Sequence, residues 1–471
     1  MKHSSEPPSD KRKKQDSQRS IQQKACRKQA EQTAHRGRER KPLSPLWVLL
    51  VIGLFSVPWA IRHRQGITAQ QQRAQTNKRS DAFFAQINEY PKNESATQFD
   101  RLSAALGFSP NDGLSLNSQP VVQVNSDALK RYKEIEPLLN LFLQEKLGNT
   151  VDPIPALPSE LKAYLASVQP ELATLQAHLL QQAAPHWEIN IARMSEETYP
   201  FPGLTNVFGA QKLLLLSAIH HSKQNQPSEK IAALEASWRL NHAIAQRPDL
   251  VSKLSVSTVS DYQAKLLRHS PDLSQSYIEK WQQRLTQQIA QQSVLKGIRF
   301  EAWLNYKTLQ NSLSEITAQS GQLAAFSPVH RFTLSNIDTN QSTHRALDML
   351  DSTSVCDLSQ ADMEARVATI QTAQWNETSV PKPKVLARRW KTAGDRALSL
   401  ELTQQALAAY HHYQQYKQWP KPARAQSEQC PQAQWIREET DGNTITIRLD
   451  HKLSEPSSQQ FTAILKAPLN P

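Results

Sequence analysis

An uncharged apolar segment near the N-terminus is the feature that most constrains this chain. The segment runs from Leu43 to Ile61, 19 residues that include no Asp, Glu, Lys or Arg. As a helix it would reach about 28 Å, close to the roughly 30 Å hydrocarbon core of a bilayer. Trp47 and Trp59 lie near its two ends, where indole rings favour the membrane interface. The segment therefore predicts a single transmembrane helix over 43–61.

Two other interpretations of this segment stay open. A buried core helix should carry a polar stripe, but Ser44 and Ser56 are the only polar side chains apart from the two indoles. A cleaved signal peptide should have a shorter basic region and a small residue at the −3 position, which Pro58-Trp59-Ala60 does not supply. We therefore predict an uncleaved membrane anchor.

The net charge of +12 is concentrated in the residues before this anchor. Residues 1–42 hold 13 Lys or Arg and 5 Asp or Glu, so they supply +8 and leave only +4 for the remaining 429 residues. Such a polar, charged segment predicts a disordered cytoplasmic tail. Its basic run, Lys11 to Lys14, could attract anionic lipid headgroups or nucleic acid, but a topology signal without a specific partner is favoured. The charge is thus poor evidence for a nucleic-acid-binding body.

The Lys and Arg residues that flank the anchor predict its orientation. Residues 24–41 contain seven of them and residues 62–79 contain five, which places the N-terminus in the cytoplasm of a plasma or inner membrane. The body would then lie outside the cytoplasm, where Cys356 and Cys430 could form a disulfide. Two independent buried thiols remain the alternative.

Helical spacing of apolar residues and a total of only 12 glycines predict a mainly α body. The predicted organisation after the anchor is a stalk helix and linker (62–126), a helical domain (127–313), an irregular loop region (314–355), a helical segment (356–422) and a small β-rich element (423–471). In this last element, Asp441-Gly442 separates two strand-like runs and predicts an antiparallel β-hairpin, and residues 461–465 are a candidate third strand.

One pair of predicted helices resembles a helical repeat in its size. The helices at 207–224 and 228–246 together have the length of one tetratricopeptide-type hairpin, which repeats about every 34 residues. No second copy occurs at that spacing. An irregular multi-helix body is therefore favoured over a helical-repeat-like one.

Motifs for cofactor-dependent or metal chemistry are missing from the sequence. No glycines are spaced as G-x-G-x-x-G, G-x-S-x-G or G-x-x-x-x-G-K, and neither C-x-x-C nor H-E-x-x-H occurs. The histidines are interpreted as surface or core side chains, namely His220, His221, His242, His411 and His412. We therefore predict no catalytic, cofactor-binding or metal-binding residues, and no cofactor.

Three functional hypotheses follow from these features. The first is a non-enzymatic interaction or assembly module of the cell envelope, which binds the membrane and another envelope protein. The second is a membrane-anchored hydrolase whose site is built from residues distant in sequence. The third is a lipid-binding or nucleic-acid-binding protein that acts through its basic tail. The first is favoured because the chain combines an anchor with a helical body that lacks catalytic motifs.

Overall fold

The body folds mainly into helices, as the scarcity of glycine predicts, and ends in an antiparallel sheet. The computed structural model describes residues 67, 70–108, 122–147, 154–194, 204–291, 294–320, 328–370, 382–450 and 461–467. The chain divides into two units, Met1–Thr68 and Ala69–Pro471. The helices and strands of the fold belong to the second unit.

The first helices of the body run from residue 70 to residue 223. They are α1 (70–84), α2 (Glu94–Ala105), α3 (Ser126–Lys146), α4 (Ser159–Ser167), α5 (Gln169–Gln181), α6 (Ile191–Met194) and α7 (Leu204–Lys223). The side chains of Asn93 and Asn125 cap α2 and α3 by accepting hydrogen bonds from backbone N–H groups of the first turn. Pro170 separates α4 from α5, because proline cannot continue the hydrogen-bond ladder of a helix.

Longer helices follow in the second half of the body. They are α8 (Pro227–Ala245), α9 (Leu250–Arg268), α10 (Gln275–Gln291), α11 (Val294–Ser320), α12 (Pro328–Ser352), α13 (Gln360–Ile370) and α14 (Pro383–Tyr416). Pro227 and Pro383 occupy the first turns of α8 and α14, where a missing N–H costs no hydrogen bond. The pair α7–α8 forms the helical hairpin predicted at 207–246.

The prediction of an irregular loop over 314–355 is wrong. The structure continues α11 to Ser320 and forms α12 over Pro328–Ser352. The helical period of α12 is hard to recognise because polar residues fill buried positions, among them Asn340, Ser342 and Thr343, each no more than 5% exposed. A pattern of apolar residues alone therefore misses this helix.

A continuous apolar core joins α2–α5 and α7–α14 to the sheet. It contains residues from the ranges 127–313, 356–422 and 423–471, so these predicted segments pack against one another. A smaller core lies between α1 and α11, with Phe84, Phe300 and Trp303 among its members. This second core fixes α1 on the body.

The sheet contains four antiparallel strands in the order β1-β2-β3-β4: β1 (Ala423–Gln426), β2 (Gln434–Asp441), β3 (Thr444–Asp450) and β4 (Thr462–Lys466). The predicted hairpin corresponds to β2 and β3, and the added strand to β4. Strand β1 was not predicted. The buried carboxylate of Glu401 on α14 accepts hydrogen bonds from the Ser427 hydroxyl and the Glu428 N–H, so it ties the β1–β2 connection to the helices.

Within the described ranges, no helix is both long enough and apolar enough to cross a membrane. The predicted anchor, from Leu43 to Ile61 with Trp47 and Trp59, lies outside those ranges, as does the basic tail.

Candidate functional site

A cavity of about 380 Å³ lies where α1, α11 and α12 meet. We call it the arginine pocket, because Arg79, Arg299 and Arg345 line it, one from each helix. The buried side chain of Asn340 and the half-buried side chain of His344 line it as well. It is therefore built from segments that are far apart in the sequence.

Aromatic packing and polar contacts fix α1 at this pocket. The rings of Phe84 and Phe300 meet edge to face, with centroids 5.9 Å apart. The Tyr306 hydroxyl donates a hydrogen bond of 2.8 Å to the Asn77 side-chain oxygen on α1. The ring of Phe83 lies 6.2 Å from that of Trp303, so α1 also forms one wall of the pocket.

His344 stacks on Trp303 inside the pocket, with ring centroids 4.2 Å apart. Burial and, to a smaller extent, the nearby Arg299 guanidinium together lower the pKa of His344 to about 4, while Asp348 opposes the shift. The imidazole is therefore neutral near pH 7. Its Nε2 atom is buried and has no hydrogen-bond partner among the described residues.

Asn340 lies one turn before His344 on α12 and is 5% exposed. Its side-chain nitrogen donates to the Ala302 carbonyl at 3.0 Å, whereas its Oδ1 atom has no partner in the described part of the chain. A buried polar atom without a partner costs about 1–3 kcal/mol. Two such atoms on one helix face make this pocket a place where a polar ligand would gain hydrogen bonds.

The pocket has an excess of positive charge. Among the lining residues, three arginines and one aspartate, Asp348, are charged, so the lining alone carries +2 because His344 is neutral; Asp351 and Asp338 lie beside two of these arginines. Arg299 is held by Asp348 and Asp351, each at 2.8 Å. The guanidinium of Arg345 approaches Asp338 only to 4.0 Å, and Arg79 is exposed at the rim. The arrangement therefore favours a negatively charged ligand.

The low pKa of His344 predicts a loss of stability in acid. Between the ordinary pKa of about 6.5 and the folded-state pKa of about 4, the unfolded chain binds a proton that the folded chain does not. The free energy of unfolding should therefore fall as the pH drops through this window, by about 2 kcal/mol after allowance for partial solvent exposure.

Urea denaturation at pH 7.5 and pH 4.5 measures this loss, and the variant His344→Gln isolates the contribution of the imidazole. We expect the variant to lose less stability between the two pH values than the wild type does. An equal loss in both proteins would show that His344 titrates normally in the folded state.

The histidines singled out by the sequence do not come together. His220 and His221 are neighbours near the end of α7, whereas His242 stacks on Trp238 of α8 with ring centroids 5.0 Å apart. No group of three His, Cys, Asp or Glu side chains in the described ranges is arranged to hold a metal ion.

The aromatic cluster near His411 and His412 divides between core and surface. Tyr410 is 2% exposed and belongs to the core, whereas Tyr416 is 57% exposed. His411 lies 3.5 Å from the carboxylate of Glu279 on α10. These contacts place the cluster at a helix packing interface.

The two body cysteines lie outside the pocket. Cys356 follows α12 and Cys430 lies between β1 and β2; their Cα atoms are 5.7 Å apart and the structure joins their sulfur atoms. Both side chains are buried, with 6% and 0% exposure. The pair would link the helices to the sheet.

The arginine pocket was not predicted from the sequence, because its residues come from three separate helices and the range that holds α12 was assigned to a loop. One available signal was the spacing of four between Asn340, His344 and Asp348, which places these polar residues on one face of a helix.

Comparison of the chain with protein-family models, curated proteins and solved structures finds no match. Its function is therefore argued from the chemistry of the pocket.

Proposed function

We propose that this chain is a membrane-anchored, non-enzymatic interaction module of the cell envelope, and that its arginine pocket receives an acidic side chain of a partner protein. The observation that carries the proposal is the net positive charge of the pocket lining around two buried polar atoms that have no hydrogen-bond partner in the described part of the chain. Arginine is suited to this role because its planar group can donate two parallel hydrogen bonds to one carboxylate.

A peptide segment fits these atoms better than a simple anion does. A carboxylate would satisfy the arginines, but Oδ1 of Asn340 can only accept a hydrogen bond and would repel an anion. An Asp or Glu residue within a chain offers both a carboxylate and a backbone N–H. The cavity of about 380 Å³ is near the lower end of the range for ligand sites, which is consistent with one or two side chains.

The pocket gives little support to the hydrolase hypothesis. Thr76 is the only residue of its lining that carries a hydroxyl, and this group already donates to the Gln72 carbonyl at 2.8 Å. A histidine with a pKa of about 4 is a weak general base near pH 7, because an effective base has a pKa close to the working pH. An acid–base role is therefore disfavoured at this site.

The membrane placement in this proposal depends on the sequence. The segment from Leu43 to Ile61 would anchor the chain in a plasma or inner membrane, with the body outside the cytoplasm. Helix α1 is the first described helix after that segment and forms one wall of the pocket. A partner in or near the same membrane is therefore favoured.

Charge reversal at the rim tests the proposal. Arg79→Glu with Arg345→Glu changes two exposed side chains and should leave the fold intact. Full-length tagged protein is cross-linked in membranes, solubilised gently and purified, and its partners are quantified by mass spectrometry. We expect the amount of co-purified partner to fall by about tenfold or more, because like charges across an interface are strongly unfavourable.

The matched control is Arg101→Glu with Arg131→Glu, which applies the same charge change to exposed residues of α2 and α3. The amount of partner recovered with this control variant should equal that recovered with the wild type. Equal recovery with both double variants, or repeated recovery of the protein alone, would refute the proposal.

A further inference from the structure

A second, smaller cavity lies beside the last strand of the sheet. Its volume is about 170 Å³, and its walls include Ile464 and Lys466 of β4, Ile219 and Lys223 of α7, and Tyr410 of α14. Cavities for drug-sized ligands usually measure about 300–1,000 Å³. This cavity is instead the size of one apolar side chain.

Strand β4 lies at an edge of the sheet. It pairs with β3 on one side, and no strand of the described ranges pairs with its other side. Ala463 and Leu465 are buried, whereas Ile464 is 36% exposed and Lys466 is exposed. An edge strand offers backbone N–H and C=O groups to an added strand, and adjacent pockets then select its alternate side chains.

We propose that the groove between β4 and the end of α7, the β4 groove, binds an extended segment of a partner protein as a fifth strand. One medium-sized apolar side chain of that segment enters the cavity. Acidic residues two positions before and after it lie on the same face of the strand, next to Lys223 and Lys466.

The charge of the groove defines this occupant. Neither Lys223 nor Lys466 forms an ion pair with a described residue, so both can meet carboxylates of the added segment. A second copy of this chain fits less well. Two β4 edges would bring together two grooves that both carry unpaired lysines, and lysine on an edge strand opposes self-pairing.

The β4 groove is independent of the arginine pocket. The two cavities share no lining residue and belong to different helices. The groove would select an extended backbone that pairs along β4, whereas the arginine pocket would select one acidic side chain with its adjacent backbone N–H. Variants of one site can therefore serve as controls for the other.

Fluorescence anisotropy with full-length protein in lipid nanodiscs tests the proposal. The probe is the fluorescein-labelled peptide acetyl-Thr-Asp-Thr-Leu-Thr-Asp-Thr-amide. Two further probes carry either lysine in place of both aspartates or N-methyl groups on alternate backbone amides. We expect each changed probe to bind about tenfold or more weakly, because one loses its charge pairing and the other its strand hydrogen bonds.

A second set of measurements uses variants of the protein. Lys223→Glu with Lys466→Glu should weaken binding of the acidic probe and strengthen binding of the lysine probe. Arg79→Glu with Arg345→Glu should change the affinity of neither probe. The proposal is overturned if the acidic probe does not bind, if N-methylation has no effect, or if the arginine variant abolishes binding. Peptide-independent dimers that disappear in the lysine variant would instead identify a second copy as the occupant and would also overturn it.

Discussion

Removal of both Cys356 and Cys430 is expected to lower the free energy of unfolding by about 4 kcal/mol under non-reducing conditions. The two cysteines are 74 residues apart, and their sulfur atoms are joined in the structure. A covalent link across a loop of this length removes many conformations from the unfolded chain. The effect is large because the link closes the segment that contains α13 and α14 between its ends.

Urea denaturation of the Cys356→Ala, Cys430→Ala variant measures this loss. Cys26→Ala is the matched control, since it removes the third cysteine, which lies in the predicted tail. We expect the control to match the wild type, and reductant to lower the stability of the wild type toward that of the double variant. Equal stability of all forms, with two free thiols by mass spectrometry, would contradict both the bond and the oxidising compartment.

A second large effect is expected from Asp272→Ala, which should destabilise the fold by about 2 kcal/mol, because Lys230 is buried although the Asp272 carboxylate itself is half exposed. The partner of this carboxylate is Lys230 on α8, whose side chain is 0% exposed and whose Nζ lies 2.6 Å from Oδ2 of Asp272. Burial lowers the pKa of Lys230, and the carboxylate opposes that shift. Without Asp272, a buried ammonium group loses its countercharge.

The replacement Lys230→Met should have a much smaller effect, below about 1 kcal/mol, because it removes the buried charge and keeps a similar volume. The double variant should then be close to Lys230→Met alone. Thermal or urea denaturation of the three variants checks this order. If Lys230→Met were as damaging as Asp272→Ala, the ion pair itself would be a major stabilising interaction of the α8 region.

The sequence predicts the parts of the fold in which apolar spacing and turn residues agree. The α7–α8 hairpin and the β2–β3 hairpin are examples: Leu213 to Leu216 are fully buried, and Gly442 and Asn443, directly after Asp441, connect the two strands. The fold class, mainly helical with a C-terminal antiparallel sheet, is confirmed.

Prediction of the fold from the sequence fails where polar groups occupy buried positions. Helix α12 carries Asn340 and Thr343 toward its neighbours, and strand β1 contains Arg424 and Gln426 beside only two alanines. Their positions are decided by tertiary packing, so local periodicity does not indicate them. The arginine pocket was missed for the same reason, since its walls come from three helices between residues 70 and 352.

The two proposed sites would recognise different features of a partner protein. The arginine pocket would recognise an acidic side chain, and the β4 groove would recognise an extended backbone with an apolar residue. Two modest contacts made by one partner can give strong attachment, because the second contact forms at a high effective concentration. If one partner uses both sites, its affinity for the protein should fall when either site is altered and should fall most when both are altered.

Photo-cross-linking from the rim of the arginine pocket would capture the acidic partner segment that we propose. A photoreactive p-benzoylphenylalanine is introduced at Arg345 in the full-length protein within intact cells, with Arg131 as the control position on another exposed surface. We expect one discrete protein adduct from position 345, formed in smaller amount in the Arg79→Glu variant, whose cross-linked peptide contains Asp or Glu near the site of attachment. Adducts that are absent, or identical from the two positions, would contradict the proposal.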